Sequence, residues 1–557
     1  MPESDKLNNK LAELKLQEEE KATQQLAQKL NLPYVNLILA PISTEALSTI
    51  KPEESRKGQV IIFQKENNQL AVGCVDYHNQ ETQKIINQLK SRNQIKVFII
   101  SPHSFQYAHS LYPKIKISTA PISGQISLSS EADFELQEKI NSIDQIKKTI
   151  DQITQNQIDI SELFKVILTG ALVNNASDIH LEAQASQIDI RYRIDGLLHL
   201  IYSLPTKFYH LLDQRIKLLS KMKLNLENVA QDGRFTIKTK NEEIEVRVST
   251  IPGNYGDSIV MRILDPKAIN LQLEDLGIRD DLYQILKKEI EQPTGMIITT
   301  GPTGSGKTTL LYTILKKKFS PEIKTITLEN PIEYHLSGIT QTQIEKSYAG
   351  EKNNYNFASG LRAILRQDPD IIMVGEIRDK ETAQTAVQAA LTGHLVISTI
   401  HTNDAAGAIP RFINFGIDSA TLASALRLII AQRLVRRVCP FCQEEYQPSQ
   451  DELAEIKKAT ENLPADIKPN LENITLRRGK GCPKCNQTGY KGRIGIFELI
   501  PITKTMEKVI ISNPNHYQIQ QQANQEKMTT MYQDGILKVV QGVTTLDEVK
   551  RVTGDIH

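Results

Sequence analysis

The sequence predicts an α/β chain built on a parallel sheet whose strands end in reactive polar residues, and three observations predict it. Gly301, Pro302, Thr303, Gly304, Ser305, Gly306, Lys307 and Thr308 form a full G-x-x-x-x-G-K-[ST] pattern, followed by Thr309. It sits directly after the apolar run Met296-Ile297-Ile298-Thr299-Thr300 and before a helix-forming stretch. Three later apolar runs stop abruptly at polar residues: Thr325–Leu328 before Glu329 and Glu333, Ile371–Val374 before Gly375-Glu376, and Leu395–Ile400 before His401. Upstream, Ile188, Ile190, Tyr192 and Ile194, then Ile244, Val246 and Val248, alternate with polar residues, as half-buried strands do.

Taken in order, residues 6–30 carry Leu7, Leu11, Leu14, Leu26 and Leu30 at helical spacing around the acidic Glu18–Glu20, which reads as one or two amphipathic helices. Val60-Ile61-Ile62-Phe63 and Leu70-Ala71-Val72 predict strands and Glu81–Leu89 a helix, together a small mixed domain. Residues 113–130 turn to Ser, Pro, Gly and Ile without period and read as a linker. One amphipathic helix is expected near residues 135–153 before the alternating strands, on which Arg191, Arg193 and Arg247 face away from the apolar side.

A chain of 557 residues exceeds one ordinary core, so several domains are expected. Apolar residues at 40%, charged residues at 24% and a formal charge of +1 are average globular values, with no bulk attraction to nucleic acid or anionic lipid. The polar N-terminus and the lack of a long apolar run predict a soluble, intracellular protein.

The glycine pattern gives the chemistry its place. Glycines let backbone N–H groups close around phosphates at a helix N-terminus, Lys307 offers a point charge to the outer phosphates, and Thr308 offers a hydroxyl to Mg²⁺. Ligands of open parallel sheets bind beyond the strands' carboxyl ends, so Lys307, Glu329, Glu333, Glu376 and His401 can converge on one nucleotide, expected to be ATP. Glu376 is placed to orient the attacking water and His401 to sense phosphate, while Asp370 reads as a strand cap. A single glutamate after a strand is commonly just solvated, and a single histidine commonly structural.

These residues resemble the type II/type IV secretion ATPase superfamily from about residue 160 onward. The resemblance rests on Ala176–Glu182, Arg193-Ile194-Asp195-Gly196, Gln231-Asp232-Gly233-Arg234, Arg247–Thr250 and Arg262-Ile263-Leu264. It continues through Glu329–Glu333, Gly360–Arg362, Arg366–Asp370, Gly375–Asp379, Thr392–His394 and His401–Asn403. It implies a RecA-like P-loop ATPase domain over 273–438, preceded by a PAS-like α+β domain over 151–272. Before these come an N-terminal α/β docking domain over 1–112 and a linker with lead-in helix over 113–150. A zinc-bound insertion over 439–500 and a helical segment over 501–557 complete the expected order. Arg234 and Arg247 would reach the phosphates from the second domain, and Arg362, Arg366 and Arg378 would join an inter-subunit network. The family's acidic box usually reads Glu-Asp-Pro; Asn330 here supplies an amide instead of that carboxylate, so metal dependence or rate is expected to differ.

Cys439-Pro-Phe-Cys442 and Cys482-Pro-Lys-Cys485 form two C-x-x-C pairs with 39 residues between them, a spacing that suits one tetrahedral zinc; redox pairs or free thiols are the alternatives. Cys74 reads as a small buried side chain. The basic residues around the quartet serve an acidic partner or are simply solvated. Within the superfamily the quartet resembles assembly and secretion ATPases rather than retraction ATPases. No Arg-Leu-Gly motif of the kind that binds cyclic di-GMP in some relatives is present in residues 1–110, so docking is the expected role there. The family implies a cytoplasmic homo-hexamer docked at the inner membrane through a platform protein, driving a type IV pilus or a type II secretion system. A DNA-translocating relative is disfavoured by near-neutral charge, and direct nucleic-acid binding is not expected; a weak nucleotide-binding scaffold is the remaining alternative.

Overall fold

The computed structural model describes residues 18–554, except 39, 41, 48, 67–68, 92, 113–123, 156–158, 225, 227–228, 267–269 and 345–354. The chain divides into two compact units, residues 1–121 and 122–557.

In the first unit, strands Val60–Glu66, Gln69–Cys74 and Gln94–Ile99 form one sheet, antiparallel then parallel. The continuous run Val60–Phe63 is apolar because both faces are covered: Val60 and Ile62 enter one core, Ile61 and Phe63 the other. The expected helix is Gln80–Lys90, capped by Asn79. Residues 18–29 are helical, and Leu7, Leu11 and Leu14 of the same expectation lie outside the described residues. Cys74 is fully buried, which pushes its thiol up to about 12, with Asp76 adding to the effect.

The second unit holds two seven-stranded sheets. The first runs, edge to edge, Gln125–Ser127, Gln231–Lys238, Glu243–Ile251, Ser258–Leu264, Asp178–Ala183, Gln187–Ile194 and Leu197–Pro205. All neighbours are antiparallel except the first pair. Ile188, Ile190, Tyr192, Ile244, Val246 and Val248 face helix Ile160–Val173, where the Tyr192 hydroxyl donates to Ile167 O at 2.5 Å. The expected helix near 135–153 is in fact two, Glu131–Lys139 and Ile143–Gln155. Ile140 leaves helical geometry, and the Ser142 hydroxyl accepts from Gln145 N to start the second helix. Residues 125–127, within the stretch read as linker, are an edge strand of this sheet; 113–123 lie outside the described residues.

The second sheet runs Thr340–Gln343, Thr325–Glu329, Ile371–Val374, Leu395–Ile400, Gly295–Thr300, Leu426–Val438 and Tyr490–Pro501. It is parallel up to its last pair, which is antiparallel. Strand Tyr490–Pro501 belongs to this sheet although its residues follow the cysteine quartet, so the insertion loops out and the chain returns to finish the sheet. Among the described residues, no helix is long and apolar enough to cross a membrane.

Candidate nucleotide site and four-cysteine centre

Strand Gly295–Thr300 is buried throughout and feeds the glycine loop into helix Lys307–Lys318. Two glycines are required by close approach. Gly301 has φ 143°, and a Cβ there would lie 2.5 Å from Gln432 O; Gly306 has φ 90°, and a Cβ there would lie 2.8 Å from Gln432 Nε2. Pro302, Thr303 and Gly304 form the exposed crest, while Ser305 is buried. Ser305 Oγ and Gln432 Oε1 are buried without a hydrogen-bond partner among the described residues, which fits a loop shaped around a polar ligand. The Thr308 and Thr309 amides open the helix, where backbone donors and the helix dipole favour an anion.

Lys307 Nζ donates to Gly301 O at 2.7 Å and Pro302 O at 3.0 Å. Burial lowers its pKa, and the charges of Glu376 and Glu333 oppose that shift. Burial in turn raises Glu333, against the Arg247 charge, a hydrogen bond with Thr308 and the Arg262 charge. Glu376 meets Arg378 Nε at 2.5 Å and His401 Nε2 at 3.4 Å. Lys307, Thr308, Glu333, Glu376 and His401 are therefore one cluster. Glu329 is not part of its open face: it is buried and accepts from the Tyr312 hydroxyl, from Thr327 Oγ1 at 2.6 Å and from Gln341 Nε2 at 3.1 Å. Asp370 caps its neighbour, accepting from Lys324 N at 2.6 Å.

From the other sheet, Arg247 Nη2 donates to Ile332 O, beside Glu333. Arg234, Arg247 and Arg262 stand directly opposite one another on three adjacent strands. Like charges so placed repel, which favours an anion in front of them. Arg262 was not a sequence candidate; only strand register reveals it. Arg234 is exposed. Arg362 and Arg366 lie outside the cluster, Arg362 pairing with Glu381 at 2.6 Å and Arg366 donating to Arg362 O at 3.1 Å.

The four quartet cysteines are free thiols whose sulfurs all lie within 4.8 Å of one another. Cys439–Cys482, Cys442–Cys485 and Cys482–Cys485 sulfurs are 3.9, 3.8 and 3.7 Å apart. Metal–sulfur bonds of about 2.3 Å in a tetrahedral site place sulfurs about 3.8 Å apart, so the group could hold a metal ion.

Residues 154–551 match the profile of the family described as Type II/IV secretion system protein. The chain belongs to that family. Residues 30–114 match the MshEN domain. The Type II secretion system protein E of Pseudomonas aeruginosa is 41% identical over 411 residues, covering 74% of this chain and 79% of that protein. The Type IV pilus assembly ATPase PilB of Myxococcus xanthus is 34% identical over 538 residues, covering 96% and 91%. Among solved structures, the ATPase DotB of Legionella pneumophila superposes with a TM-score of 0.50 at 23% identity, covering 70% of this chain and 95% of that one, a likeness of fold. The α/β core, the phosphate loop and the family place the chain among the secretion and pilus ATPases.

One buried carboxyl group lies inside a strand rather than at its end. Glu498, fully enclosed, accepts from Ala405 N at 2.9 Å and Met531 N at 3.3 Å, and burial raises its pKa to about 7. Ala405 belongs to the loop that follows His401, and Thr402 N of that loop donates to Thr300 Oγ1 at 2.9 Å, next to the phosphate loop. The available signal was a lone carboxylate in the apolar run Ile496–Ile500.

Proposed function

We propose that this chain is a hexameric cytoplasmic ATPase that couples ATP hydrolysis to rotation between its domains and powers pilin assembly in a type IV pilus. The observation that carries the catalytic part is the convergence of Lys307, Thr308, Glu333, Glu376 and His401 at the ends of parallel strands. Gly301 to Thr309 cradle the phosphates, Glu376 orients the attacking water, and His401 reads the outer phosphate through its contact with Glu376. Thr308 and Glu333 are the residues for Mg²⁺, which supplies charge neutralisation on the phosphates when bound. Arg247 and Arg234 approach from the PAS-like domain, and Arg362, Arg366 and Arg378 serve a neighbouring subunit. Glu329 positions its strand end through Tyr312 and Gln341. The quartet holds a structural zinc.

The pilus reading is supported by the pilus assembly ATPase that matches nearly the whole chain, N-terminal domain included. A type II secretion motor is the second reading, favoured by the higher identity of relatives so named over the core. In either case an inner-membrane platform protein would take up the rotation, and the N-terminal domain would dock the ring at the membrane.

The test is Mg²⁺-dependent ATP hydrolysis by the purified protein beside Lys307→Ala, Glu376→Gln and Arg234→Ala, with zinc measured on the same sample. Turnover in the wild type, lost on the order of 10²-fold or more in each variant, is expected with about one zinc per chain. Tight ATP binding without turnover in the wild type overturns the motor reading in favour of a nucleotide-binding scaffold.

A further inference from the structure

The four-cysteine loop does more than close on itself. Asn486, the residue after Cys485, is held at φ 51° and projects out of the loop. Its Oδ1 accepts from Ile143 N at 3.1 Å, and its Nδ2 donates to Asn174 Oδ1 at 2.9 Å. Six residues on, Gly492 N donates to Asp195 Oδ2 at 2.9 Å, and Arg493 lies 3.9 Å from the same carboxylate. The three elements gripped are the start of helix Ile143–Gln155, the C-cap of helix Ile160–Val173 and the turn at Asp195-Gly196: two helices that pack on the sheet carrying the arginine row, and a turn between two of its strands. A cleft of about 250 Å³ lies in this seam, lined by Lys147, His199 and Leu200 on one side and Pro483 and Gln487 on the other. A few directed hydrogen bonds beside a cleft make a contact that can separate, unlike a packed core.

A charged row joins this contact to the nucleotide side. Arg193 donates to Gly196 O at 3.1 Å and sits 3.4 Å from Asp178. Asp178 accepts from Arg262 Nε at 2.9 Å, and Arg262 stands opposite Arg247. Three strand spacings separate Arg193 from Arg247, so at about 4.8 Å each the two ends of the row are about 14 Å apart.

We infer that the metal-bound four-cysteine loop is an interdomain latch, in which Asn486 and Asp195 are positioning residues that hold the second domain where Arg247 can reach the nucleotide site. Metal occupancy orders the turn Pro483–Asn486 and so aims Asn486; without metal that turn loses the restraint of two of its ligands, Cys482 and Cys485. The inference rests on the metal reading of the quartet, and the metal content of the samples tests that reading separately.

The experiment is amide hydrogen exchange on the full-length protein in four forms: wild type, Asn486→Gly, Asp195→Ala and wild type stripped of metal by a chelator. Glycine at 486 keeps the left-handed backbone and removes both side-chain bonds. Asn486→Gly is expected to retain its metal while the Ile143 amide and the start of helix 143–155 exchange about tenfold faster. Metal removal is expected to give the same acceleration there, besides loosening residues 439–490. Asp195→Ala is expected to lower kcat at unchanged ATP KM, through lost support of the arginine row. Metal removal that loosens 439–490 but leaves 143–155 unchanged overturns the latch. An absence of bound metal in the wild type overturns the metal reading instead, and in that case unchanged exchange in Asn486→Gly overturns the contact as well.

Discussion

Glu329 and Glu376 stand at the ends of adjacent strands and differ in what surrounds them. Glu329 is enclosed by three donors, whereas Glu376 meets an arginine and a histidine at the mouth of the site. Removing the first strands buried donors; removing the second leaves solvent to fill the gap. Glu329→Ala is expected to cost about 3 kcal/mol, seen as a fall in melting temperature of several degrees, while Glu376→Gln melts with the wild type and loses only turnover. Glu498 gives a pH-dependent companion. Its carboxyl rises from 4.5 to about 7 on burial, so the folded state holds the proton more tightly than the unfolded chain. The stability this contributes is whole below about pH 4.5, is lost as pH rises through 7, and amounts to about 3 kcal/mol. Glu498→Gln cannot ionise, so its melting-temperature deficit against wild type is expected to narrow between pH 5 and pH 8. A constant deficit would show that Glu498 does not titrate in that range.

The four-cysteine loop depends on backbone as much as on sulfur. Gly479 and Gly489 cross so closely that a Cβ on Gly489, at φ 76°, would lie 2.5 Å from Gly479 O, and Cys439 N donates to Gly489 O at 2.9 Å. Gly489→Ala is expected to abolish stoichiometric metal while leaving nucleotide binding intact, checked by metal analysis and ATP titration on one preparation. The cysteine spacing was legible in the sequence, but this crossing was not, because no periodicity or motif marks Gly479 and Gly489 as a pair. The parallel strands and their polar ends were legible for the opposite reason: each is a local pattern, an apolar run that stops. Period alone missed the break at Ile140–Ser142, since a helical spacing continues across a capped interruption. Arg262 stayed hidden because its role depends on register with Arg247, which no local pattern records.

Within the second unit, an arginine from the other sheet meets the candidate nucleotide cluster. Arg247 reaches Ile332 O and lowers the charge cost at Glu333. Arg247→Ala is expected to reduce kcat by about 10²- to 10³-fold with ATP affinity little changed; a loss confined to KM would mean that the arginine only binds ground-state nucleotide. One long strand of the second sheet, Leu426–Val438, runs from the phosphate-loop side to the four-cysteine loop. It pairs with the phosphate-loop strand near its start, passes Gln432 beside Gly301 and Gly306, pairs Arg436 with Glu548, and delivers Cys439 one residue after its end. Because successive side chains alternate sides, this strand acts as a ruler with parity. Substitutions along it can be absorbed singly, but inserting or deleting one residue between Gln432 and Arg436 would turn Arg436 and Cys439 to the wrong side together. Length variation in the family is thus expected to fall in the loops on either side of this strand, and never within it.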